Sequence, residues 1–232
     1  MFINAWGDGY GRDAIRSEDS LIVPPSCEPL DLDEVKKQRR FSSNSLDTLF
    51  DLWIAAARQH LEEQTGCQLI TATWETALDD VPGHGVIELP HPPLQRVVSI
   101  VFDDADGVGQ TWDATAYRTI TPTGPHPRRG RVALMSGGSW PTATRQPGGV
   151  RIRYQAGYGN TPGAVPELVR YALFMLVGHF HKFGEEINEA RATILQLPLG
   201  AKDVMNAMKY YALPTVPLTR SGRYGGTWPW RI

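Results

Sequence analysis

Apolar residues recur at spacings of three and four between residues 46 and 65, which is the period of one face of an α-helix. The stripe consists of Leu46, Leu49, Phe50, Trp53, Ala57 and Leu61. Charged side chains occupy the other face, so the pattern predicts an amphipathic helix that packs on a core. Ser45 is a candidate N-cap, and Gly66 is a candidate left-handed residue after the helix end.

Helical signals also occur on both sides of this segment. Asp31 and Glu34 stand three residues apart, the spacing of a capping box, and predict a short helix that begins at Asp31. Residues 166–183 begin with a proline suited to a first helical turn, and their centre, 171–177, is apolar on all sides. Such a helix must be buried all round, in its own fold or against another copy. A shorter helix is predicted over 201–213.

The period of the pattern changes to two between the helical regions. Strands are predicted at 67–78, 86–89, 97–102, 116–121, 131–135 and 150–155. Turns rich in glycine and proline separate them. Short strands at this spacing favour a small antiparallel β-sandwich or barrel.

The expected fold class is therefore α+β. A helical core of residues 29–66 plus 160–213 is interrupted by an inserted β domain of residues 67–159. An extended N-terminal arm covers residues 1–28, where glycines and a Pro-Pro pair indicate irregular structure. An extended C-terminal arm covers residues 214–232.

Composition excludes several classes of protein. The 232 residues are 41% hydrophobic and 21% charged, which is ordinary for a globular protein. The net charge is −2, so the overall charge does not favour binding to nucleic acid or to a membrane surface. Cys27 and Cys67 are too few for a disulfide framework or a zinc site. No signal-peptide pattern stands at the start, and no apolar run approaches the roughly 20 residues of a membrane span. We expect a soluble protein in a reducing compartment, without cofactor or membrane partner.

No catalytic or metal-binding arrangement is evident in the sequence. Residues 137–141 fail the nucleophile-elbow pattern, because proline stands where glycine is needed. His179 and His181 point about 200° apart on a helix and cannot share a metal. A calcium loop needs an acid where Phe102 stands. A hydrolase that uses clustered turn carboxylates stays an alternative, with candidates Asp103, Asp104 and Asp106.

Several short stretches have the order and spacing of a known family. They are residues 29–36, 52–58, 61–62, 65–66, 70–75, 87–90, 92–94, 97–100, 104–107, 140–141, 156–159 and 165–166, followed by the apolar helix. Together they resemble the head–tail connector (adaptor) proteins of tailed phages and gene-transfer agents, the gp6-like connectors, in the long form with a β insertion. The resemblance covers residues 29–212, and the chain departs from it at the N-terminal arm and at residues 184–188.

This resemblance implies a structural virion protein without catalytic residues. It implies a homo-oligomeric ring of about twelve copies in the neck, between the portal protein and a tail-side stopper or terminator protein. DNA would pass through the central channel with loose, sequence-independent contacts, since tight phosphate binding would stall it. Assembly would take place in the host cytoplasm.

Two sets of residues are candidates for contacts in such an assembly. The C-terminal arm has three prolines, three glycines and no acid. It either folds back on its own domain or docks on a partner. The resemblance implies that this partner is the portal protein. The docking candidates are Arg223, Tyr224, Trp228, Pro229, Trp230, Arg231 and Ile232. The subunit-packing candidates are Trp53, Leu173, Phe174, Leu176 and Phe180. The remaining alternatives are a tail-completion or stopper protein and a monomeric β-module binder.

Overall fold

The computed structural model describes residues 17–81, 85–122, 124, 127–141, 146–184 and 198–212. Across these residues the chain is mixed α+β, with four α-helices and two antiparallel sheets, which confirms the predicted fold class. None of the helices in this part of the chain combines the length and apolar character needed to cross a membrane.

The helices lie close to the predicted positions. They are α1 (Leu32–Arg39), α2 (Asp47–Thr65), α3 (Glu167–Gly184) and α4 (Leu199–Ala212). The Asp31 carboxylate accepts a hydrogen bond from the Asp33 amide at 2.8 Å, so the predicted N-cap of α1 is confirmed. The other half of the predicted capping box, the Glu34 carboxylate, accepts from Arg170 on α3 instead. Gly66 ends α2 in the left-handed conformation, as expected. The predicted N-cap of α2 is wrong, because Leu46 holds that position without a side-chain cap bond.

The four helices enclose one hydrophobic core. Its central side chains are Phe50, Ile54, Ala57, Leu61, Val169, Ala172, Leu173, Leu176, Val177, Ala201, Val204, Met205 and Met208. The start of α2 lies against the end of α3, where Phe50 stacks on His181 at 5.4 Å. The Arg170 guanidinium donates to the Glu34 carboxylate at 2.6 Å and ties α1 to α3.

The strands form two sheets, and we use the name β domain for these sheets and the segments that connect their strands. The strands are β1 (Ser17–Val23), β2 (Ala72–Leu78), β3 (Val86–Leu89), β4 (Leu94–Asp103), β5 (Gly109–Thr111), β6 (Tyr117–Ile120), β7 (Gly130–Leu134) and β8 (Val150–Ala156). The sheet orders are β1-β2-β8-β4-β5 and β3-β7-β6. Buried side chains of both sheets, such as Ile87 and Ile152, belong to one cluster, so the sheets enclose a common core. All six predicted strands are present, although the first begins at Ala72 and not at residue 67.

Strand β1 corrects the expectation of an irregular N-terminal arm. Ser17–Val23 pair antiparallel with β2, and all seven residues are exposed when backbone and side chain are taken together. The Asp19 carboxylate accepts a hydrogen bond from the Thr76 hydroxyl at 2.7 Å. The strand therefore depends on pairing with a distant segment and not on local burial, which is why hydrophobic alternation did not reveal it.

A close backbone crossing joins the β domain to the helical core. The Tyr158 amide donates to the Leu69 carbonyl at 3.0 Å, and the Thr71 amide donates to the Gly159 carbonyl at 2.9 Å. Gly157 has φ +125°, and a Cβ there would lie 2.7 Å from the Ile70 carbonyl carbon. Only glycine fits this position without moving the backbone.

Candidate assembly surface

The helical core leaves two groups of large apolar side chains in solvent. Leu49 and Leu52 on α2 are 43% and 61% exposed, and we call them the α2 patch. Leu168 and Tyr171 on α3 are 61% and 56% exposed, and Leu199 at the start of α4 is 79% exposed. We call these three the α3–α4 patch. Exposed apolar groups that cluster in this way are typical of protein interfaces.

The exposed side chains of both patches point away from the helical core. Leu52 lies two residues after the buried Phe50, and Tyr171 lies two residues after the buried Val169. Two residues correspond to about 200° around a helix, so both exposed side chains point away from the core. Because α2 and α3 bury their inner faces in the same core, both patches lie on outer faces.

A side-chain contact joins the two elements of the α3–α4 patch. The Met175 side chain is half-buried one turn after Tyr171, and a Cβ on Gly200 would lie 3.1 Å from its methyl carbon. This distance places the start of α4, where Leu199 lies, beside α3.

The structure narrows the predicted set of subunit-packing residues. Leu173 and Leu176 are fully buried inside the chain's own helical core, so they are not available to a neighbouring copy. Trp53, Phe174 and Phe180 are half-buried at the margin of that core. The sequence pattern did not separate these side chains from the exposed ones, because residues 171–177 are apolar without a period.

A charged network surrounds the second half of α2 and the segment that follows the helix. The Arg58 guanidinium donates to the Glu28 carboxylate at 2.8 Å and to the Glu62 carboxylate at 2.7 Å. Glu62 also accepts from the Gln68 amide group at 2.7 Å and from the Leu69 backbone amide at 2.9 Å. Burial raises the pKa of the Glu62 carboxyl, although these donors oppose the shift. The network therefore ties α2 to the segment before α1 and to the segment after α2.

Two of the three carboxylates considered for hydrolysis, Asp103 and Asp104, have structural partners. Asp103 accepts from the Arg151 guanidinium at 2.6 Å and from the Gln146 amide group at 2.8 Å. The hydrogen bond with Arg151 lowers the pKa of Asp103. Asp104 accepts from the Val108 backbone amide at 3.0 Å and closes the turn before β5. Asp103 is therefore part of a salt bridge, and Asp104 is part of a turn.

Metal-binding chemistry has no support in the described residues. No group of three or more His, Cys, Asp or Glu side chains there is placed to hold a metal ion. His181 stacks on Phe50 and makes edge contacts with Phe41 and Trp53. The seven candidates of the C-terminal docking arm lie outside the described residues, so their role stays a prediction.

Solved structures contain chains with the same fold. A chain in the neck of an empty GTA particle, computed with C6 symmetry, is 21% identical with a TM-score of 0.63 over 84% of this chain and 95% of that chain. A chain in the virion of a native gene transfer agent (GTA) particle is 20% identical with a TM-score of 0.64 over 90% and 98%. A chain in the neck of a native GTA particle, computed with C12 symmetry, is 22% identical with a TM-score of 0.63 over 84% and 94%. No protein-family model and no curated protein matches this sequence.

Proposed function

We propose that this chain is a structural subunit of the neck of a virion-like particle, where it forms a ring that connects the portal to the tail. One observation carries the proposal. The fold spans 84–90% of this chain and 94–98% of chains found in gene transfer agent necks and virions. Because the match covers nearly the whole of both chains, including the β domain, it supports the same structural role for this chain.

The surface of the subunit supports a ring of identical copies. Two of the similar chains come from necks computed with six-fold and twelve-fold symmetry, and cyclic symmetry requires repeated contacts between copies. The α2 and α3–α4 patches supply apolar surface for such contacts. A ring of about twelve copies would leave a channel for DNA, which the net charge of −2 lets pass without strong attraction.

The proposed partners are the portal protein on one side and a tail-side stopper or terminator protein on the other. The C-terminal arm is the proposed portal contact, because tryptophan and arginine are preferred interface anchors. Its residues 223–232 contain two of each, Trp228 and Trp230 with Arg223 and Arg231.

The direct test is to delete the gene in a cell that produces the particles and to image the products by electron microscopy. We expect filled heads without tails, and tailed particles when the full chain is supplied again. Averaged images of the complemented particles should contain the chain as a ring directly below the portal. A ring at the far end of the neck would identify a stopper or tail-completion protein. Normal tailed particles without the chain would refute a neck function.

A further inference from the structure

We infer that His91 and Asp19 form a pH-dependent latch, which holds strand β1 on the edge of the β domain. The protonated imidazole binds the Asp19 carboxylate, and the contact weakens as the imidazole loses its proton. This inference goes beyond the proposed function and does not rest on it, because it concerns the single subunit.

Strand β1 has few side-chain contacts besides its backbone pairing with β2. Its residues 21, 22 and 23 are apolar and 46%, 42% and 53% exposed, and none of them belongs to either hydrophobic cluster in the part of the chain that the structure describes. The Asp19 carboxylate anchors the strand, because it accepts from the Thr76 hydroxyl of β2 at 2.7 Å. Peripheral segments with little buried apolar surface open locally at a low free energy. A further contact at Asp19 therefore has a large effect on how often β1 leaves β2.

His91 lies beside this carboxylate without a hydrogen bond to it. The imidazole Nε2 is 3.6 Å from Oδ2 of Asp19, and the two side chains are 22% and 23% exposed. Nε2 itself is buried and has no hydrogen-bond partner among the described residues. The ring stacks on Trp74 of β2 with centroids 3.7 Å apart, and the residue has φ +57°. A positive φ is uncommon outside glycine and persists only where the surrounding contacts fix it, so the imidazole is held in place beside β1.

Protonation of this imidazole acts directly on the attachment of β1. A protonated ring donates from Nε2 and forms a charge-assisted hydrogen bond with the carboxylate after a small approach. Histidine is the side chain that ordinarily changes its charge between pH 5 and 8. The latch is therefore closed at the acidic end of this range and is lost as pH rises through it. Release of β1 would expose the backbone groups along the edge of β2 to another strand.

The other charged and titratable groups near the latch keep their protonation state in this range. The Arg129 guanidinium, which precedes β7, interacts with the carboxylates of both Asp19 and Glu88. Carboxylates and guanidinium groups ordinarily stay ionised between pH 5 and 8. Burial raises the pKa of the Tyr154 hydroxyl and raises the pKa of the Cys67 thiol to about 12, so both stay protonated. The histidine is therefore the group whose charge changes at the latch.

Hydrogen–deuterium exchange of the full purified chain measures the opening of β1. Exchange at pH 5.5, 6.5 and 7.5, corrected for intrinsic rates, is followed in peptides that contain residues 17–23. It gives the opening constant, which is the ratio of the open to the paired form of the strand. We expect this constant to rise about threefold to tenfold from pH 5.5 to pH 7.5, because one charge-assisted contact between partly exposed side chains is lost. Peptides from β8 report the global stability, so a rise confined to β1 is a local opening.

Two variants each remove one side of the latch. His91→Asn replaces the titratable ring by a residue that tolerates a positive φ, and Asp19→Asn keeps an acceptor for the Thr76 hydroxyl. Each should remove the rise with pH, whatever its effect on the opening constant at a single pH. His60→Gln on α2 is the matched control and should keep the rise. The inference is overturned if the opening constant of the parent chain does not rise with pH, if the rise persists in either latch variant, or if His60→Gln abolishes it.

Discussion

The backbone crossing between the two parts of the subunit makes Gly157→Ala a sensitive test of the structure. The residue has φ +125°, which side chains of L-amino acids rarely adopt. A Cβ there would lie 2.7 Å from both the Ile70 carbonyl carbon and the Thr71 amide nitrogen. These are backbone atoms, and the hydrogen bonds of Tyr158 and Thr71 across the same crossing prevent them from moving apart independently.

Two effects contribute to the loss of stability expected for Gly157→Ala, namely backbone strain and steric overlap. Backbone strain at a positive φ amounts to about 1–3 kcal/mol. Forcing a methyl group into a packed position adds about 1–3 kcal/mol. We therefore expect Gly157→Ala to lower the free energy of unfolding by about 2–6 kcal/mol, a large part of the stability of a typical domain.

Two other glycines provide matched controls. Gly66 has φ +68°, and a Cβ added there would meet no atom within 4 Å, so Gly66→Ala should lose only the left-handed penalty of about 1–2 kcal/mol. Gly163 has neither a positive φ nor a neighbour within 4 Å. Gly163→Ala should therefore leave stability unchanged or raise it by about 0.4–1 kcal/mol, through the lower entropy of the unfolded chain.

Urea unfolding of the three purified variants, followed by circular dichroism, measures these differences as shifts of the midpoint at constant slope. The expected order of stability is Gly163→Ala, then Gly66→Ala, then Gly157→Ala. The reasoning would be refuted if Gly157→Ala unfolded at the same urea concentration as Gly66→Ala, because the close crossing would then be absent.

Three further predictions concern the charged network, the thiols and the C-terminal arm. Burial raises the pKa of Glu62 above its ordinary value of 4.5, so its contribution to stability is present at low pH and is lost as pH rises through the raised pKa. Glu62→Gln should therefore flatten the fall of the wild-type unfolding free energy that begins as pH rises above about 4.5, and parallel profiles would contradict this. Burial also raises the pKa of the Cys67 thiol to about 12, so Ellman's reagent should label Cys27 in the folded chain and Cys67 only after unfolding; rapid labelling of both thiols would be inconsistent with the core. Deletion of residues 227–232 should weaken binding to the portal protein in a pull-down while the urea midpoint stays unchanged, and undiminished binding would exclude the arm as the docking element.

Local patterns predicted most of the regular structure. The helical period of residues 46–65 and the alternation around residues 67–78 place α2 and β2 within a few residues of their observed positions. The Asp31 cap was also predicted correctly, because a carboxylate next to a helix start has a local partner in the Asp33 amide. Such features depend on neighbours in the sequence, so a single chain is enough to predict them.

Features that depend on distant partners were not predictable in this way. Strand β1 exists because it pairs with β2, and the Asp19–Thr76 hydrogen bond joins residues 57 apart. The exposed patches also depend on distant partners. Leu173 and Tyr171 belong to one apolar run, and only the packing of α2 and α4 on α3 makes Leu173 buried and Tyr171 exposed. The sequence indicated that the helix needs partners, but not which side each partner covers.

The size of the exposed patches also predicts how the ring would assemble. Full burial of a leucine is worth about 1.5–3 kcal/mol, and the exposed parts of the five patch side chains amount to about three full side chains, so covering them gives about 4.5–9 kcal/mol per contact. Association costs about 4–15 kcal/mol, so one contact between two free copies is weak. A closed ring makes one more contact than an open chain of the same copies without bringing in another subunit. We therefore expect native mass spectrometry over a concentration series to detect monomers and complete rings with few intermediates. Stable dimers at low concentration would show that a larger interface than these patches holds the copies together.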